Sequence, residues 1–146
     1  MDPILFHLAF PVSDLDEAKR FYVDGLECKA GRRSPKAITF RLGGHQIIAH
    51  LTSKPIERQQ GIYPRHFGLL FPSEETWQAM LRRAKEQQLL FYQQPRCRFE
   101  GTPLEHLTFF LEDPSGNLLE FKHYRHPSAI FGEDRFSQVG DSELVD

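Results

Sequence analysis

The sequence predicts an α+β fold in which one β-α-β-β-β unit occurs twice. Two segments, residues 4–12 and 65–71, alternate large apolar side chains with smaller or polar ones, and each has a histidine near its start. Each segment runs into a helix-start signal, and each helix is followed by further strand-like segments. The chain has 146 residues with thirteen Phe, four Tyr and one Trp, which suits one compact domain with an ample core.

The first unit begins with residues 4–12, where His7 lies on the less bulky face of a period-two pattern that favours a strand. Ser13 and Asp14 are helix-capping residues. Acids in the first turn and apolar residues at helical spacing predict a helix that ends near Gly25. Three strands are expected to follow, at about 28–32, 37–42 and 45–51.

The second unit repeats this order. Residues 65–71 form the strand pattern with His66 near its start, and Ser73 precedes a helix whose apolar stripe includes Trp77. Acids in the first turn and basic residues late in this helix suit the helix dipole. Three further strands are expected, at about 89–99, 104–112 and 118–124.

The stretch between the two units is polar and contains two prolines, which favours a linker. We expect one domain over residues 1–125, with a first module at about 1–52, a linker at 53–64 and a second module at about 65–125. Residues 126–146 form a tail with little periodicity. In this partly mobile tail, residues 129–131 are expected to pack back on the domain and residues 137–146 to be mobile.

Composition and charge exclude several function classes. The formal net charge is -2, so there is no basic footprint for nucleic acid. No apolar run approaches the roughly 18 residues of a membrane span, and residues 1–10 carry an acid where a signal peptide has its positive charge. Cys28 and Cys97 are too few for a disulfide scaffold. We therefore expect a cytoplasmic protein that acts on or binds a small molecule, without a nucleic-acid or membrane partner.

His7 and His66 occupy matching places in the repeat, each two residues before a small residue, Ala9 or Gly68. A lone histidine in a strand is usually a core or surface residue. Neither strand needs a histidine to fold, however, because Val or Thr suits the pleat better. If the two halves pack as a pseudo-symmetric pair, the two imidazoles can converge on one site.

Glu120 is the third candidate ligand. In the segment LLEFKHY it shares a strand face with Lys122 and Tyr124, and burying an acid there costs free energy unless it is paired or binds a metal. It can equally face solvent or pair with Lys122 or an arginine. Two imidazoles and one carboxylate form the facial triad that leaves open positions on Fe(II) for O2 and substrate. Mn(II), Zn(II), Ni(II) and Co(II) occupy related sites, and the ligands do not select among them.

His50 is a candidate fourth ligand. Alignment of the two halves on Gly44 and Gly116 places Ile48 opposite Glu120. His50 follows two residues later on the same face, about 7 Å away. It is either a fourth ligand after a small register shift, an acid/base group beside the metal, or a polar residue of the cavity.

Three further polar residues are weaker candidates. His106 begins a strand and is expected at a pocket mouth. Arg96 and Arg98 alternate along a strand, where they either hold an anionic substrate or face solvent. No Ser-His-Asp order, phosphate-binding loop or dinucleotide-binding glycine motif is present, so nucleophilic hydrolysis and nucleotide binding have little support.

The segments FHLAFPVSDLDEAKRFYVDGLECKAG, RHFGLLF and FFLEDPSGNLLEFKHY together resemble the vicinal oxygen chelate superfamily. That superfamily includes glyoxalase I, extradiol dioxygenases, fosfomycin-resistance transferases and bleomycin-binding proteins. The resemblance covers roughly residues 4–125, and its most specific part is the run 113–117 (DPSGN) followed by Glu120. It implies paired βαβββ modules that form an open, mixed-sheet barrel around a metal.

The resemblance implies that His7, His66 and Glu120 are the metal ligands, as in extradiol dioxygenases. The chain is most similar to small proteins described as predicted extradiol dioxygenases. The larger ring-cleaving enzymes have two such domains and an additional acid/base His and Tyr. Here His50, His106 and Tyr124 are the candidates for those catalytic roles.

Together these expectations predict that the protein is a metal-dependent enzyme. The predicted activity is that of a non-haem Fe(II) extradiol-type dioxygenase acting on a vicinal diol or another bidentate oxygen substrate. A redox-neutral glyoxalase-like isomerase, lyase or thiol transferase is the alternative within the same fold. A binding protein that sequesters a small molecule without a metal is the alternative from another class. The resemblance also implies a homodimer, in which the site can be shared between subunits.

Overall fold

Two four-stranded mixed sheets form the framework of the computed structural model, which describes residues 2–139. Each half of the chain contributes one sheet. The strand order is the same in both sheets, with the first strand of a half next to its last strand. The α+β fold class and the doubled β-α-β-β-β unit are therefore confirmed, although the two sheets do not close into a barrel.

The first half contains β1 (His7–Val12), α1 (Leu15–Lys19), β2 (Lys29–Ser34), β3 (Ala37–Leu42) and β4 (His45–Leu51). Beyond its last residue, α1 continues as a wider π-helical turn over Arg20–Gly25. Asp14 caps α1, because its side chain accepts a hydrogen bond from the backbone N–H of Glu17 at 2.9 Å. β1 runs parallel to β4, and β2, β3 and β4 pair antiparallel.

The second half contains β5 (Phe67–Leu70), α2 (Glu74–Glu86), β6 (Leu90–Arg98), β7 (His106–Glu112) and β8 (Leu118–Tyr124). Ser73 caps α2 by accepting from the backbone N–H of Thr76. Trp77 on the buried stripe of α2 donates its Nε1–H to the carbonyl of Phe121 at 2.8 Å, which fixes the helix on the sheet.

Three strands begin two or three residues later than the alternation of the sequence predicts. β1 begins at His7 rather than at residue 4, β5 at Phe67, and β7 at His106. The alternation of apolar and polar residues indicates which face each side chain occupies. A strand also needs hydrogen bonds to a neighbouring backbone, and this pairing decides where the strand begins. Residues 4–6 precede the paired region, and Ile4 is 95% exposed.

The two sheets share one apolar core. Tyr22 stacks on Phe40 with ring centroids 5.3 Å apart, and Phe109 stacks on Phe121 at 5.2 Å. Phe10 of β1 meets Phe67 at the start of β5, with centroids 5.3 Å apart. The two edge strands β1 and β5 therefore lie near each other at the centre of the molecule.

The turn over residues 113–117 ties the second half to the first. Asp113 is buried and accepts a hydrogen bond from the Tyr22 hydroxyl at 2.7 Å. Its other oxygen accepts from the backbone N–H groups of Ser115 and Asn117, and the Asn117 amide donates to the carbonyl of Pro11 at 2.8 Å. Burial raises the pKa of Asp113 even though these donors favour its ionised form.

Replacing Tyr22 with phenylalanine is expected to lower the free energy of unfolding by about 1–3 kcal/mol, because it removes a donor from a buried acid. Urea unfolding measures this as a lower midpoint with an unchanged slope. Tyr92→Phe is the matched control, since the Tyr92 hydroxyl accepts an exposed hydrogen bond from the Gly61 N–H. Equal losses in the two variants would show that burial of Asp113 is unimportant.

After β8 the chain crosses one end of the second sheet. A 3-10 turn over Pro127–Ala129 is followed by Ile130, which is 39% exposed, and by Phe131, which is 99% exposed. Residues 140–146, most of the segment expected to be mobile, lie outside the described residues. Between residues 2 and 139, no helix has the length and apolar character needed to cross a membrane.

Candidate metal centre

His66 and Glu120 lie side by side where β5 begins next to β8. His66 Nε2 is 3.1 Å from Glu120 Oε1. β5 and β8 are parallel neighbours, and the register pairs Gly68 with Glu120. The other ring nitrogen of His66, Nδ1, donates to the carbonyl oxygen of Ile62 at 2.7 Å. This bond holds the ring with Nε2 directed at the carboxylate.

The second oxygen of Glu120 accepts a hydrogen bond from the Thr108 hydroxyl at 2.6 Å. Burial opposes ionisation of Glu120, but hydrogen bonds from His66 and Thr108 and the charge of Lys122 outweigh it, so the pKa of Glu120 is lowered. The hydrogen bond to Glu120 raises the pKa of His66, against the opposing effect of burial. Both pKa shifts favour the charged pair, an imidazolium beside a carboxylate.

These two side chains fit a divalent metal. Once Nε2 of His66 loses its proton, it and Glu120 Oε1 are two donor atoms 3.1 Å apart, a separation at which both can contact one ion. Imidazole and carboxylate suit Fe(II), Mn(II) and Zn(II) alike. The Ile62 carbonyl behind the ring and the Thr108 hydroxyl behind the carboxylate are the outer hydrogen-bond partners that metal ligands usually have.

The pair opens into a cavity of about 690 Å³ over the second sheet. Its floor is formed by three cross-strand pairs of β7 and β8, namely Phe110 with Glu120, Thr108 with Lys122, and His106 with Tyr124. The segment 129–139 of the tail lines the opposite side. The predicted catalytic candidates His106 and Tyr124 therefore share a cavity with the predicted ligands His66 and Glu120.

His106 is buried at the far end of this floor. Its Nδ1 donates to the carbonyl of Leu104 at 3.0 Å, so Nε2 is the acceptor, and burial lowers its pKa. The His106 and Tyr124 rings are 5.0 Å apart. The Tyr124 hydroxyl accepts a hydrogen bond from Lys122 Nζ at 2.7 Å. This end of the cavity holds a neutral imidazole next to a phenol.

His7 lies on the other sheet, with an exposed side chain. Its Nδ1 donates to Gln46 Oε1 at 2.8 Å, so the ring is held through Nδ1, as the ring of His66 is. Across residues 2–139, no three His, Cys, Asp or Glu side chains come close enough to share a metal ion. The single chain brings His66 and Glu120 together and leaves His7 apart. The full set of three ligands stays a prediction.

His50 lies at the exposed end of β4. Gln46 is the register partner of His7, and His50 follows Gln46 by four residues. The Cα atoms of Gln46 and His50 are therefore about 13 Å apart along the strand. Ile48 holds the register position in the first half that Glu120 holds in the second, as alignment of the halves predicts. His50 lies on the same face as His7, so it remains a candidate, but this separation is long for two ligands of one ion.

Sequence reasoning did not find Thr108, and it treated Lys122 only as a partner of Glu120. Thr108 belongs to the strand segment LTFF, where a threonine is an ordinary strand residue. Its role follows from the register that places it opposite Lys122 and beside Glu120. The sequence signal that could have identified Thr108 is its position on the same strand face as His106.

Metal affinity is expected to depend on pH through His66. Since the metal must displace the imidazolium proton, affinity falls by about tenfold per pH unit below the raised pKa of His66 and levels off above it. Zn(II) competition titrations from pH 5.5 to 8.5 measure this. NMR titration of the metal-free protein should place the His66 midpoint above 6.5, and Glu120→Gln should lower it.

The same pair affects stability in the metal-free protein. A raised His66 pKa means that its contribution is fully present below about pH 6.5 and is lost as pH rises through the folded-state pKa. The lowered Glu120 pKa gives a contribution that is present above the ordinary carboxyl pKa and lost in acid. A stability difference between wild type and Glu120→Gln that does not vary with pH would contradict the pairing.

Comparisons with known proteins bear on the family and the fold of this chain. The family model of the Glyoxalase/Bleomycin resistance protein/Dioxygenase superfamily matches residues 4–121. A crystal structure of a glyoxalase/bleomycin resistance protein/dioxygenase from Alicyclobacillus acidocaldarius is 44% identical, with a TM-score of 0.83. The match covers 88% of this chain and 96% of that one. No match was found among curated proteins.

Two structures of the fosfomycin resistance protein FosX from Listeria monocytogenes share the fold. One is 20% identical with a TM-score of 0.67, covering 88% of this chain and 99% of that one. The other, a variant complexed with Mn(II) and 1S,2S-dihydroxypropylphosphonic acid, is 22% identical with a TM-score of 0.61. It covers 83% of this chain and 90% of that one.

Proposed function

Because the chain belongs to the Glyoxalase/Bleomycin resistance protein/Dioxygenase superfamily, we propose that it is a metal-dependent enzyme whose substrate binds the metal through two neighbouring oxygens. The observation that carries this proposal is the His66–Glu120 pair, 3.1 Å apart on the wall of a large cavity. FosX, which has the same fold, binds Mn(II) and a dihydroxy compound, and this supports a divalent metal here.

We propose that His7 of a second copy supplies the third ligand. Its Nε2 is presented to solvent by the bond between Nδ1 and Gln46. The residues just before it are apolar and exposed, at 95% for Ile4, 56% for Leu5 and 60% for Phe6, and a cluster of this kind marks an interaction surface. A homodimer with two-fold symmetry would complete two equivalent sites.

The chain's own groups divide the remaining work. Ile62 and Thr108 hold the two ligands in fixed orientations. His106, neutral and with Nε2 as acceptor, can take a proton from a bound hydroxyl, and Tyr124 beside it can return one. The tail segment 129–139 lines the same cavity. A bound metal supplies Lewis acidity that lowers the pKa of a coordinated substrate hydroxyl.

The reaction class we favour is extradiol-type dioxygenation with Fe(II), because two histidines and one carboxylate leave open positions on the metal. The test is anaerobic Fe(II) reconstitution followed by oxygen-uptake measurements with a panel of catechols. Oxygen consumption that requires His66 and His106 supports dioxygenation. Metal binding with catechol binding but no oxygen uptake contradicts it.

A redox-neutral reaction, such as an isomerase, lyase or thiol transferase step, is the second candidate. A four-ligand site that includes His50, which lies on the same face as His7, would favour it. Product analysis with Mn(II)- or Ni(II)-loaded protein under nitrogen distinguishes it from dioxygenation.

A protein that binds ligands equally well without metal would instead be a sequestering module. We place the protein in the cytoplasm, since Cys28 and Cys97 are both free.

The shared site is tested by mixing subunits. His7→Ala and Glu120→Gln homodimers each lack one ligand in both sites. In a heterodimer of the two, one site carries both changes and the other is intact. Random reassortment should therefore restore about a quarter of the wild-type metal content. No restoration in a preparation shown to contain heterodimers would place all three ligands in one chain or reject His7.

A further inference from the structure

Lys122 lies on the floor of the cavity, one step along β8 from the proposed metal ligand Glu120. The two residues share a strand face, so their Cα atoms are about 7 Å apart. Thr108 is the cross-strand partner of Lys122, and Tyr124 follows it on the same face. The ammonium group therefore lies between the metal end of the cavity and the His106 end.

This lysine is half-buried and has no carboxylate partner of its own. Lys122 Nζ donates to the Tyr124 hydroxyl at 2.7 Å and lies 4.7 Å from the centre of that ring. Among residues 2–139, no acidic side chain forms an ion pair with it. A partly desolvated ammonium with only neutral contacts carries an electrostatic cost that a counter-ion would remove.

The acidic groups that share the cavity do not fill this role. Glu120 is bonded to His66 and Thr108. Glu133 of the tail lines the cavity but is held by Ser128 and by Arg135. Asp134, the remaining acid of the lining, is exposed.

Metal binding increases this imbalance. In the metal-free protein the charges of Lys122 and Glu120 attract each other, and Lys122 thereby lowers the pKa of Glu120. A divalent ion on Glu120 would take up that negative charge and add positive charge. Arg98 adds a second cation to the cavity lining. The loaded cavity would therefore carry a net positive field beside the metal.

We propose that Lys122 binds an oxyanion group of the substrate, so that the substrate is an organic anion whose carboxylate or phosphonate lies further along β8 than its metal-binding oxygens. Tyr124 orients the ammonium through its hydroxyl, and Thr108 fixes the neighbouring ligand. The inference rests on the proposed metal site and specifies the substrate class that this site accepts.

The test compares two ligands of one shape and different charge, 3,4-dihydroxybenzoate and 3,4-dihydroxybenzamide. Calorimetry measures their affinities for Mn(II)-loaded wild type, Lys122→Met and Lys122→Arg under nitrogen at fixed ionic strength. Wild type should bind the benzoate at least about tenfold more tightly than the benzamide. Lys122→Met should reduce this ratio to near one, and Lys122→Arg should retain most of it. Lys85→Met, on the exposed side of α2, is the matched control and should behave as wild type.

Methylphosphonate, tested by thermal shift with the same variants, provides an arm that does not depend on the catechol ring. Stabilisation by methylphosphonate but not by acetate would identify phosphonate as the group recognised. An unchanged benzoate preference in Lys122→Met, or no oxyanion binding by metal-loaded wild type, would overturn the inference. Metal content is measured for every variant. If wild type binds no metal, the proposed function is wrong. If wild type binds metal but does not prefer the benzoate to the benzamide, only the role of Lys122 is wrong.

Discussion

Glu120→Gln is expected to abolish stoichiometric divalent metal binding while the fold is retained. The amide keeps the shape of the side chain and can still accept the Thr108 hydrogen bond, but it removes the only negative charge among the proposed ligands. Loss of a hydrogen-bonding partner behind a ligand typically weakens metal affinity about 10–100-fold, and loss of the ligand itself should exceed that. Elemental analysis and Zn(II) competition measure the effect.

His66→Ala should give the same loss, since it removes the second ligand of the pair. His126→Ala is the matched control, because His126 is exposed and lies just beyond β8. Circular dichroism and urea midpoints establish that the variants fold. Wild-type metal content in either Glu120→Gln or His66→Ala would remove the basis of the metal site and favour the sequestering module.

Gly68→Ala is expected to disrupt the site without changing any of its functional side chains. A β-carbon on Gly68 would overlap the carbonyl oxygen of Glu120 and stand 2.6 Å from the carbonyl carbon. These are backbone atoms of the neighbouring strand, so the clash cannot be relieved by a side-chain rotation. We expect β5 to separate from β8, which moves His66 away from Glu120.

The expected result is a loss of at least about 2 kcal/mol in unfolding free energy, together with loss of metal binding. Hydrogen exchange should show faster exchange at the amides of β5. Ala9→Gly at the equivalent position of β1 is the control, and should cost about 0.5–1 kcal/mol without affecting metal binding to the second half. A Gly68→Ala protein with normal stability and metal content would show that the two backbones can move apart freely.

Much of the fold could be predicted because its determinants are local. Alternation placed β3, β4 and β8 at their observed bounds, and the capping residue Ser73 marked the start of α2. The chain's repeat predicted the same order of strands and helix along the sequence in both halves. Strand starts were less accurate, since pairing decides where a strand begins and the partner is distant in sequence.

The candidate site could be predicted only in part. His66 and Glu120 were identifiable because histidine and glutamate are unusual on those strand faces, and the structure places them in contact. Thr108 and the unpaired charge of Lys122 could not be recognised in this way. Threonine and lysine are unremarkable in strands, and their significance comes from cross-strand neighbours.

By itself, the sequence determined the repeated unit, its turns and the residue types able to hold a metal, because periodicity, capping and side-chain chemistry are properties of short segments. The tertiary structure decided which of these residues meet. Backbone pairing of β5 with β8 brings His66 to Glu120, while His7 remains on a separate sheet. Contacts between residues far apart in the chain depend on the register and packing of whole sheets, which no local pattern encodes.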